Sequence, residues 1–299
     1  MLSVLVPVYN EQDNIGPFYE RCKPVLEGLG VDWELVYVND GSADGSLSRI
    51  LALRKEDPRV KVITLSRNFG YHSVLVAGLT LRQSDLYAII DVDCEDPPEL
   101  LKEFLGAIKD GAYTAYGERS KRDEPAWVIF LRYLFYLINN KIADAPTKLW
   151  MAEFVMIRRA VRDAILANRS TFPFLRAEMA YVGYKTVGVS YFRESRRHGR
   201  SHYNLWSMSK FAIAGFLSSS TLPLRALVYL SLGMGALYAL LVAMSGFNIA
   251  LAAALAAVLG FLYLLAAAPV LGLYLARDYK NVIGRPVFFT DPEQTFLDT

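Results

Sequence analysis

The sequence predicts an α/β protein with a mostly parallel sheet, followed by two C-terminal transmembrane helices. Over residues 1–120, short apolar runs alternate with helix-like stretches, as in successive βαβ units. Polar residues collect directly after the apolar runs, where open parallel sheets bind their ligands. Beyond residue 222, charged residues nearly disappear over two long apolar stretches, which is typical of membrane spans.

Five strands and four helices are predicted in the first part of the chain. The strands cover 2–7, 33–39, 60–65, 86–91 and 112–117, and the helices cover 15–29, 46–56, 71–82 and 98–110. The run LYAIID at 86–91 is apolar and ends in an acid, as expected of a central strand that is buried on both faces. This order favours a parallel sheet with helices on both of its faces.

The transmembrane helices are predicted at 224–245 and 252–276. The first contains one charged residue, Arg225, and the second contains none. A helix of about twenty residues, at ~1.5 Å per residue, crosses the ~30 Å core of a bilayer. Basic residues flank the spans and the loop 245–248 is uncharged, so the positive-inside rule places both ends in the cytoplasm. The alternative is a buried helical hairpin in a soluble core.

Two aromatic-rich segments, 126–142 and 205–217, are predicted to lie in the membrane interface, with an ordinary core helix as the alternative for 126–142. The predicted organisation is a cytoplasmic domain at 1–204, an interfacial helix at 205–222, a transmembrane region at 223–277 and a cytoplasmic tail at 278–299. The first residues lack the basic region and cleavage site of a secretory signal, which favours the cytosol for the first domain. The net charge of +2 gives no indication of a nucleic-acid partner, and we expect none.

The strongest chemical signal is the pair of carboxylates in Asp91-Val92-Asp93. Both can approach one site, because the chain leaves the pleat where the predicted strand ends. Hard oxygen ligands suit Mg²⁺ or Mn²⁺, which bridges a diphosphate and offsets its charge. A solvated loop is the alternative for an isolated motif of this kind. The apolar strand before it and the helix-starting Asp96-Pro97-Pro98 after it favour a functional site.

The first two strands also end in polar residues. Tyr9 can lie against a planar base, and Asn10 and Glu11 can bond the edge of the base or the ribose. Asp40, after the second strand, offers a further acceptor, with a purely structural turn as the alternative. The sequence contains neither GxGxxG after the first strand nor GxxxxGK[ST], which argues against a dinucleotide cofactor and a P-loop kinase.

Together these motifs resemble glycosyltransferase family 2. The resemblance is to its polyprenyl-phosphate branch, which includes dolichol-phosphate mannose synthase and bacterial undecaprenyl-phosphate glucosyltransferases. It covers residues 1–230 and rests on PVYNE at 7–11, NDGSADGS at 39–46, SRNFG at 66–70, DVDCEDPPE at 91–99, YGERSKR at 116–122 and RHGRSHY at 197–203.

The resemblance implies an inverting enzyme with a Rossmann-like GT-A fold at the inner (plasma) membrane. It implies a nucleotide-sugar donor, a polyprenyl phosphate acceptor, Mg²⁺ or Mn²⁺ as cofactor, and self-association. UDP is favoured over GDP, because the two-span layout looks bacterial.

The resemblance also assigns roles to individual residues. The implied nucleotide-binding residues are Pro7, Tyr9, Asn10, Glu11, Asp40, Asp91, Val92 and Asp93. The implied metal ligands are Asp91, Asp93 and Glu95. The residues implied for the phosphates of the donor or the lipid are Arg67, Arg119, Arg197, Arg200 and Ser201. The implied catalytic residues are Asp93, Arg119 and Glu153.

One segment departs from the family pattern of an acid followed by Gly-Asp-Phe-Arg. Glu153 stands where the family has Asp, and the preceding acid and glycine are absent. A phosphate monoester has a second pKa of about 6, so an ionised acceptor needs positioning and charge neutralisation more than a base. We therefore expect the departure to alter sugar or acceptor geometry and to leave transfer intact.

Two other functions are compatible with parts of the sequence. A processive polysaccharide synthase of the same family is disfavoured, because no QxxRW motif occurs and two spans are few for a translocating channel. A non-catalytic membrane scaffold that retains the nucleotide fold is disfavoured by the intact motifs at 7–11, 91–93 and 197–203.

Overall fold

The computed structural model describes residues 1–119, 151–168, 170–171, 174–194, 221–244 and 249–297. A seven-stranded sheet forms its centre, in the order β3-β2-β1-β4-β6-β5-β7. The strands are β1 (Leu2–Val8), β2 (Trp33–Asn39), β3 (Val60–Thr64), β4 (Leu86–Ile89), β5 (Thr114–Arg119), β6 (Met151–Arg158) and β7 (Thr186–Tyr191). Of these, β6 alone runs antiparallel to its neighbours. The predicted α/β class with a mostly parallel sheet is confirmed.

Helices cover both faces of the sheet, as predicted. They are α1 (Gln12–Glu27), α2 (Ser46–Glu56), α3 (Tyr71–Leu81), α4 (Leu101–Lys109), α5 (Arg159–Ala167), α6 (Leu175–Val182), α7 (Leu222–Met244) and α8 (Ile249–Ile283), with a 3₁₀ turn at Pro98–Leu100. In α4 the residues Leu101, Phe104, Leu105 and Ile108 are buried, and this spacing gives the helix one apolar face. The core on one face involves α1 and α4, and the core on the other involves α3, α5 and α6.

Strand β6 is the main element that the sequence interpretation missed. It pairs with β4 on one side and with β5 on the other. Both neighbours precede it in the chain by more than thirty residues, so these pairings are not encoded in local periodicity. Because β6 is antiparallel, its first residues lie at the edge of the sheet where β4 and β5 end.

The helices α7 and α8 are long and apolar enough to cross a membrane. The second helix is longer than the span predicted at 252–276, because α8 begins at Ile249 and continues through Arg277 to Ile283. Gly284 follows with φ 63°, and a left-handed glycine is a common way to end a helix. The predicted interfacial segments, 126–142 and 205–217, lie outside the described residues.

The residues after α8 return to the sheet and pair with its edge strand β3. Phe296 exchanges backbone hydrogen bonds with Val62, at 2.9 and 2.7 Å, and Asp291 N donates to Thr64 O at 2.8 Å. Ser66 N donates to Phe289 O at 2.9 Å. The segment predicted as a cytoplasmic tail therefore covers an otherwise unpaired strand edge.

We predict that truncation after Arg285 lowers the thermal unfolding midpoint by about 5–10 °C. Several backbone hydrogen bonds to β3 are lost, at ~1 kcal/mol each, and ~1 kcal/mol corresponds to a few degrees in a domain of this size. The measurement is thermal unfolding of the detergent-purified protein. A truncation that removes only Asp298 and Thr299 is the control, and equal midpoints for the two truncations would contradict the prediction.

Candidate active site

The polar residues singled out in the sequence converge on one edge of the sheet. Tyr9, Asp40 and Asp91 follow β1, β2 and β4, and Arg119 is the last residue of β5. Glu153 reaches the same edge from the beginning of β6. Parallel strands with helical crossovers bind their ligands at this edge, so the topology alone brings five separated residues to one place.

The loops after β1 and β2 hold each other through hydrogen bonds. Ala43 N donates to Asn10 Oδ1 at 2.9 Å, and Asn10 N donates to Ser42 Oγ at 3.0 Å. Glu11 N donates to Ser46 Oγ at 3.0 Å. The side-chain oxygen of Asn10 therefore binds the neighbouring loop of the protein itself. Tyr9 is 42% exposed, which leaves its ring accessible to a planar base.

Asp40 is almost completely buried and orders the loop after β3. Its two carboxylate oxygens accept the backbone N–H groups of Phe69, at 2.7 Å, and Gly70, at 2.9 Å. Burial raises the pKa of Asp40, although these two hydrogen bonds oppose the change. The predicted acceptor for a base is therefore engaged inside the protein. Arg67, in the same loop, is exposed and stacks on the Phe69 ring at 4.0 Å.

Asp91 lies in the most strongly acidic part of the site. Tyr71 Oη donates to Asp91 Oδ1 at 3.0 Å. Burial, followed by the charges of Asp93 and Asp96, raises the pKa of Asp91 to about 7. A carboxylate in such a place is stabilised by a nearby cation, which makes this position suited to a divalent metal.

Asp93 and Glu95 form a tight turn after β4. Glu95 N donates to Asp93 Oδ1 at 3.1 Å, and Cys94 between them has φ 59°. The Glu95 carboxylate makes an ion pair with Arg193 at 2.5 Å. Within the described part of the chain, no three His, Cys, Asp or Glu side chains form a group that could hold a metal. Mg²⁺ is often bound through only one or two carboxylates plus substrate phosphates, a requirement that Asp91 and Asp93 fit.

Arg119 is held by two residues that the sequence interpretation missed. Its guanidinium lies 3.5 Å from Asp96, and its Nε donates to the Tyr191 oxygen at 3.2 Å. Tyr191 Oη in turn donates to Asp96. Asp96 is 1% exposed, and its charge raises the pKa of Arg119 against the opposing effect of burial. The acidic turn is thereby fixed to the ends of β5 and β7.

Glu153 lies opposite Asp91, which follows the neighbouring strand β4. The last β4–β6 pair is Ile89 with Val155, and the same register two residues further places Asp91 opposite Glu153. The charge of Glu153 contributes to the raised pKa of Asp91. Arg176 Nε, on α6, donates to Glu153 Oε1 at 2.6 Å. Arg176 is a further site residue that the sequence did not reveal.

The remaining predicted residues are placed as follows. Pro7 lies within β1, and Val92 is buried directly after Asp91. Arg197, Arg200 and Ser201 lie outside the described residues.

Comparison with known proteins identifies the class to which this fold and site belong. Residues 3–169 match the model of Glycosyl transferase family 2. An uncharacterized glycosyltransferase of Synechocystis is 32% identical over 96% of this chain and 93% of its own length. The bactoprenol glucosyl transferase of Shigella phage SfV is 33% identical over 77% of this chain and 76% of its own length.

Among solved structures, glucosyl-3-phosphoglycerate synthase from Mycobacterium tuberculosis is similar in fold. Its TM-score is 0.53 at 19% identity, covering 73% of this chain and 79% of that one, and its structure contains Mn²⁺, UDP-glucose and phosphoglyceric acid. The chain therefore belongs to glycosyltransferase family 2, and it is a glycosyltransferase with the predicted GT-A fold.

We predict that Gly41→Ala weakens UDP binding at least tenfold, because it disturbs the loops after β1 and β2 (the nucleoside loops). Gly41 has φ 64°, and a Cβ there would lie 2.7 Å from the backbone carbonyl carbon of Arg67. The control is Gly30→Ala, where φ is 67° and no atom lies within 4 Å of the added carbon. That control should lose ~1 kcal/mol of stability through the positive φ and keep its affinity. Calorimetric titration with UDP checks both variants, and wild-type affinity in Gly41→Ala would refute the prediction.

Proposed function

We propose that this enzyme transfers a sugar, with inversion, from a nucleotide-sugar to a polyprenyl phosphate at the cytoplasmic face of the inner membrane. The observation that carries the proposal is the acidic edge at Asp91 and Asp93 in a domain whose chain continues into two apolar helices. A divalent metal offsets the charge of an activated donor, and apolar helices give access to an acceptor whose tail stays in a bilayer.

The donor assignment rests on the nucleoside loops and the similar fold. An exposed Tyr9 ring lies beside two loops that fix each other. The solved relative from Mycobacterium tuberculosis contains UDP-glucose. UDP is therefore the donor nucleotide that we favour over GDP.

The acceptor assignment rests on relatives and on the apolar helices. The Shigella phage protein is named as a bactoprenol glucosyl transferase, and bactoprenol is a polyprenol whose tail stays in the bilayer. At ~1.5 Å per residue α7 is about 34 Å long, enough to cross the ~30 Å hydrocarbon core. The proposed organisation keeps the predicted division of the chain at 1–204, 205–222, 223–277 and 278–299. The catalytic domain is proposed to be cytoplasmic, and the protein is proposed to self-associate.

Asp91 and Asp93 would hold Mg²⁺ or Mn²⁺, which supplies positive charge to the departing diphosphate. Burial and the charges of Asp93 and Asp96 raise the pKa of Asp91, so a cation at this edge would stabilise its charged form. Glu95 is engaged by Arg193, so we assign it to the shape of the turn and not to the metal. Arg119, fixed by Asp96 and Tyr191, adds a positioned guanidinium at the same edge.

The reaction is a single displacement. An oxygen of the lipid phosphate attacks the anomeric carbon, the bond from that carbon to the diphosphate breaks, and the configuration inverts. The attacking phosphate is largely ionised near neutral pH, so no residue is required to remove a proton. The protein contributes alignment and charge neutralisation.

We infer that the two apolar helices keep the site near lipid headgroups. α8 ends beside the domain, where Asn281 Oδ1 accepts hydrogen bonds from Thr171 N at 3.0 Å and Thr171 Oγ1 at 2.7 Å. The same helix is followed by the C-terminal segment, which forms isolated bridges with β3 and the residue after it. Two attachments of this kind restrict rotation of the catalytic domain relative to the bilayer.

We predict that Asp91→Asn lowers sugar transfer about 100-fold or more, because a neutral amide is a weaker ligand for the cation. That factor corresponds to about 3 kcal/mol, within the range for charge stabilisation by a bound metal. The measurement is transfer of labelled sugar to undecaprenyl phosphate with Mg²⁺ or Mn²⁺. Asp110→Asn, which changes an exposed carboxylate, is the control. Full activity in Asp91→Asn would exclude this metal site.

A donor screen tests the substrate assignment. UDP- and GDP-sugars are supplied with undecaprenyl phosphate in detergent, and released nucleotide and labelled lipid are both measured. We expect release to depend on the lipid and to be fastest with a UDP-sugar. Labelled polymer without labelled lipid would identify a polysaccharide synthase, and no release with any donor would refute the proposed function.

A further inference from the structure

Glu153 and Arg176 form a partly buried ion pair that the proposed chemistry does not yet use. Arg176 Nε lies 2.6 Å from Glu153 Oε1, and the Glu153 side chain is 12% exposed. The second oxygen, Oε2, is buried and has no hydrogen-bond partner among the described residues. A buried carboxylate oxygen without a donor is costly, so this atom is suited to a ligand that donates a hydrogen bond.

The surroundings of the pair fix its position. Tyr71 Oη donates to Asp91 Oδ1 at 3.0 Å. Burial, followed by the charges of Asp91 and Glu153, raises the pKa of Tyr71 well above the usual value. The neighbouring His72 packs edge-on against Tyr71 at 5.6 Å and against Phe174 at 5.2 Å. Because Phe174 immediately precedes α6, these rings join the beginning of α3 to the beginning of α6, where Arg176 lies.

The location of Glu153 restricts what the ligand can be. Opposite it, Asp91 marks the place assigned to the cation and the diphosphate. The carboxylate of Glu153 would repel phosphate oxygens directly, so a phosphate is not a suitable ligand for it. The part of a nucleotide-sugar that adjoins the diphosphate and carries neutral O–H donors is the sugar itself.

We propose that Glu153 Oε2 accepts a hydrogen bond from a hydroxyl of the transferred sugar, and that Arg176 is a positioning residue that holds Glu153 for this contact. The proposal rests on the proposed function only in that the donor is a nucleotide-sugar. It gives Glu153 a role in sugar recognition where no base is needed. Arg176 binds one carboxylate oxygen and leaves the other available.

The first experiment separates the sugar from the nucleotide. In Glu153→Ala and Arg176→Met, we expect kcat/KM for the UDP-sugar to fall about 10- to 100-fold, since a lost hydrogen bond to a charged group has an effect of this size. The inhibition constant of free UDP should stay within about twofold of the wild-type value, because UDP lacks the transferred sugar. Arg176→Lys should recover part of the loss, since lysine retains the charge without the planar fork.

The control variant is Arg158→Met, at the other end of β6. Arg158 also makes tertiary hydrogen bonds, to the carbonyl oxygens of Ala112 and Ile108, so its loss tests a general destabilisation of the strand. We expect a lower unfolding midpoint without a change in KM for the UDP-sugar. Equal weakening of UDP and UDP-sugar in Arg176→Met, or an unchanged kcat/KM, would overturn the proposal.

The second experiment identifies the hydroxyl. UDP-glucose and its four monodeoxy analogues, lacking the hydroxyl at position 2, 3, 4 or 6, are compared in wild type and in Glu153→Ala. We expect one analogue to be poor in wild type and no poorer than UDP-glucose in the variant, because the two changes remove the same contact. Equal losses for every analogue in both proteins would contradict a contact with Glu153. Failure of the wild-type enzyme to transfer any sugar would refute the proposed function. If the wild type transfers sugar and the Glu153 and Arg176 variants have an unchanged kcat/KM, this inference alone is refuted.

Discussion

The arrangement of the site depends on negative charge concentrated at one edge of the sheet. Asp91, Asp93, Asp96 and Glu153 converge there because β4 ends where β6 begins. Two of these acids have guanidinium partners: Arg119 lies beside Asp96, and Arg176 binds Glu153. Asp91 has a neutral phenol as its hydrogen-bond donor, and burial, followed by the charges of Asp93 and Asp96, raises its pKa. In the proposed function a divalent cation would offset this negative charge, so that a site rich in acids can bind an anionic donor.

The second apolar helix is joined to the catalytic domain by the chain on both sides of Gly284. Before it, Asn281 on α8 bonds Thr171, which lies five residues before Arg176. After it, the C-terminal segment pairs with β3, and the Phe289 ring lies 6.2 Å from the Phe69 ring, in the loop ordered by Asp40. The end of the second apolar helix is thus linked to the segment that precedes α6 through one contact and to the loop after β3 through the other.

Much of this architecture could be predicted from the sequence, because local patterns encode it. The bounds predicted for β2 and α2 agree with the structure. The polar residues that follow the continuous apolar runs lie together at one edge of the sheet, as their positions in the sequence predicted. Strand β6 and the partners Tyr71, Asp96, Arg176 and Tyr191 could not be predicted, because their contacts join segments 20 to 95 residues apart. Asp40 and Asn10 lie at the predicted edge of the sheet, yet their side-chain oxygens accept hydrogen bonds from the protein's own backbone, which composition cannot reveal.

The most direct test of the central claim is the electron paramagnetic resonance signal of free Mn²⁺, titrated with the detergent-purified enzyme in the presence and absence of UDP. We expect the free signal to fall when protein and UDP are both present, and to fall much less with Asp91→Asn. Mn²⁺ binding that is equally strong in Asp91→Asn, or UDP binding that is indifferent to Mn²⁺ in wild type, would contradict the assignment of the acidic edge to a cation and its diphosphate.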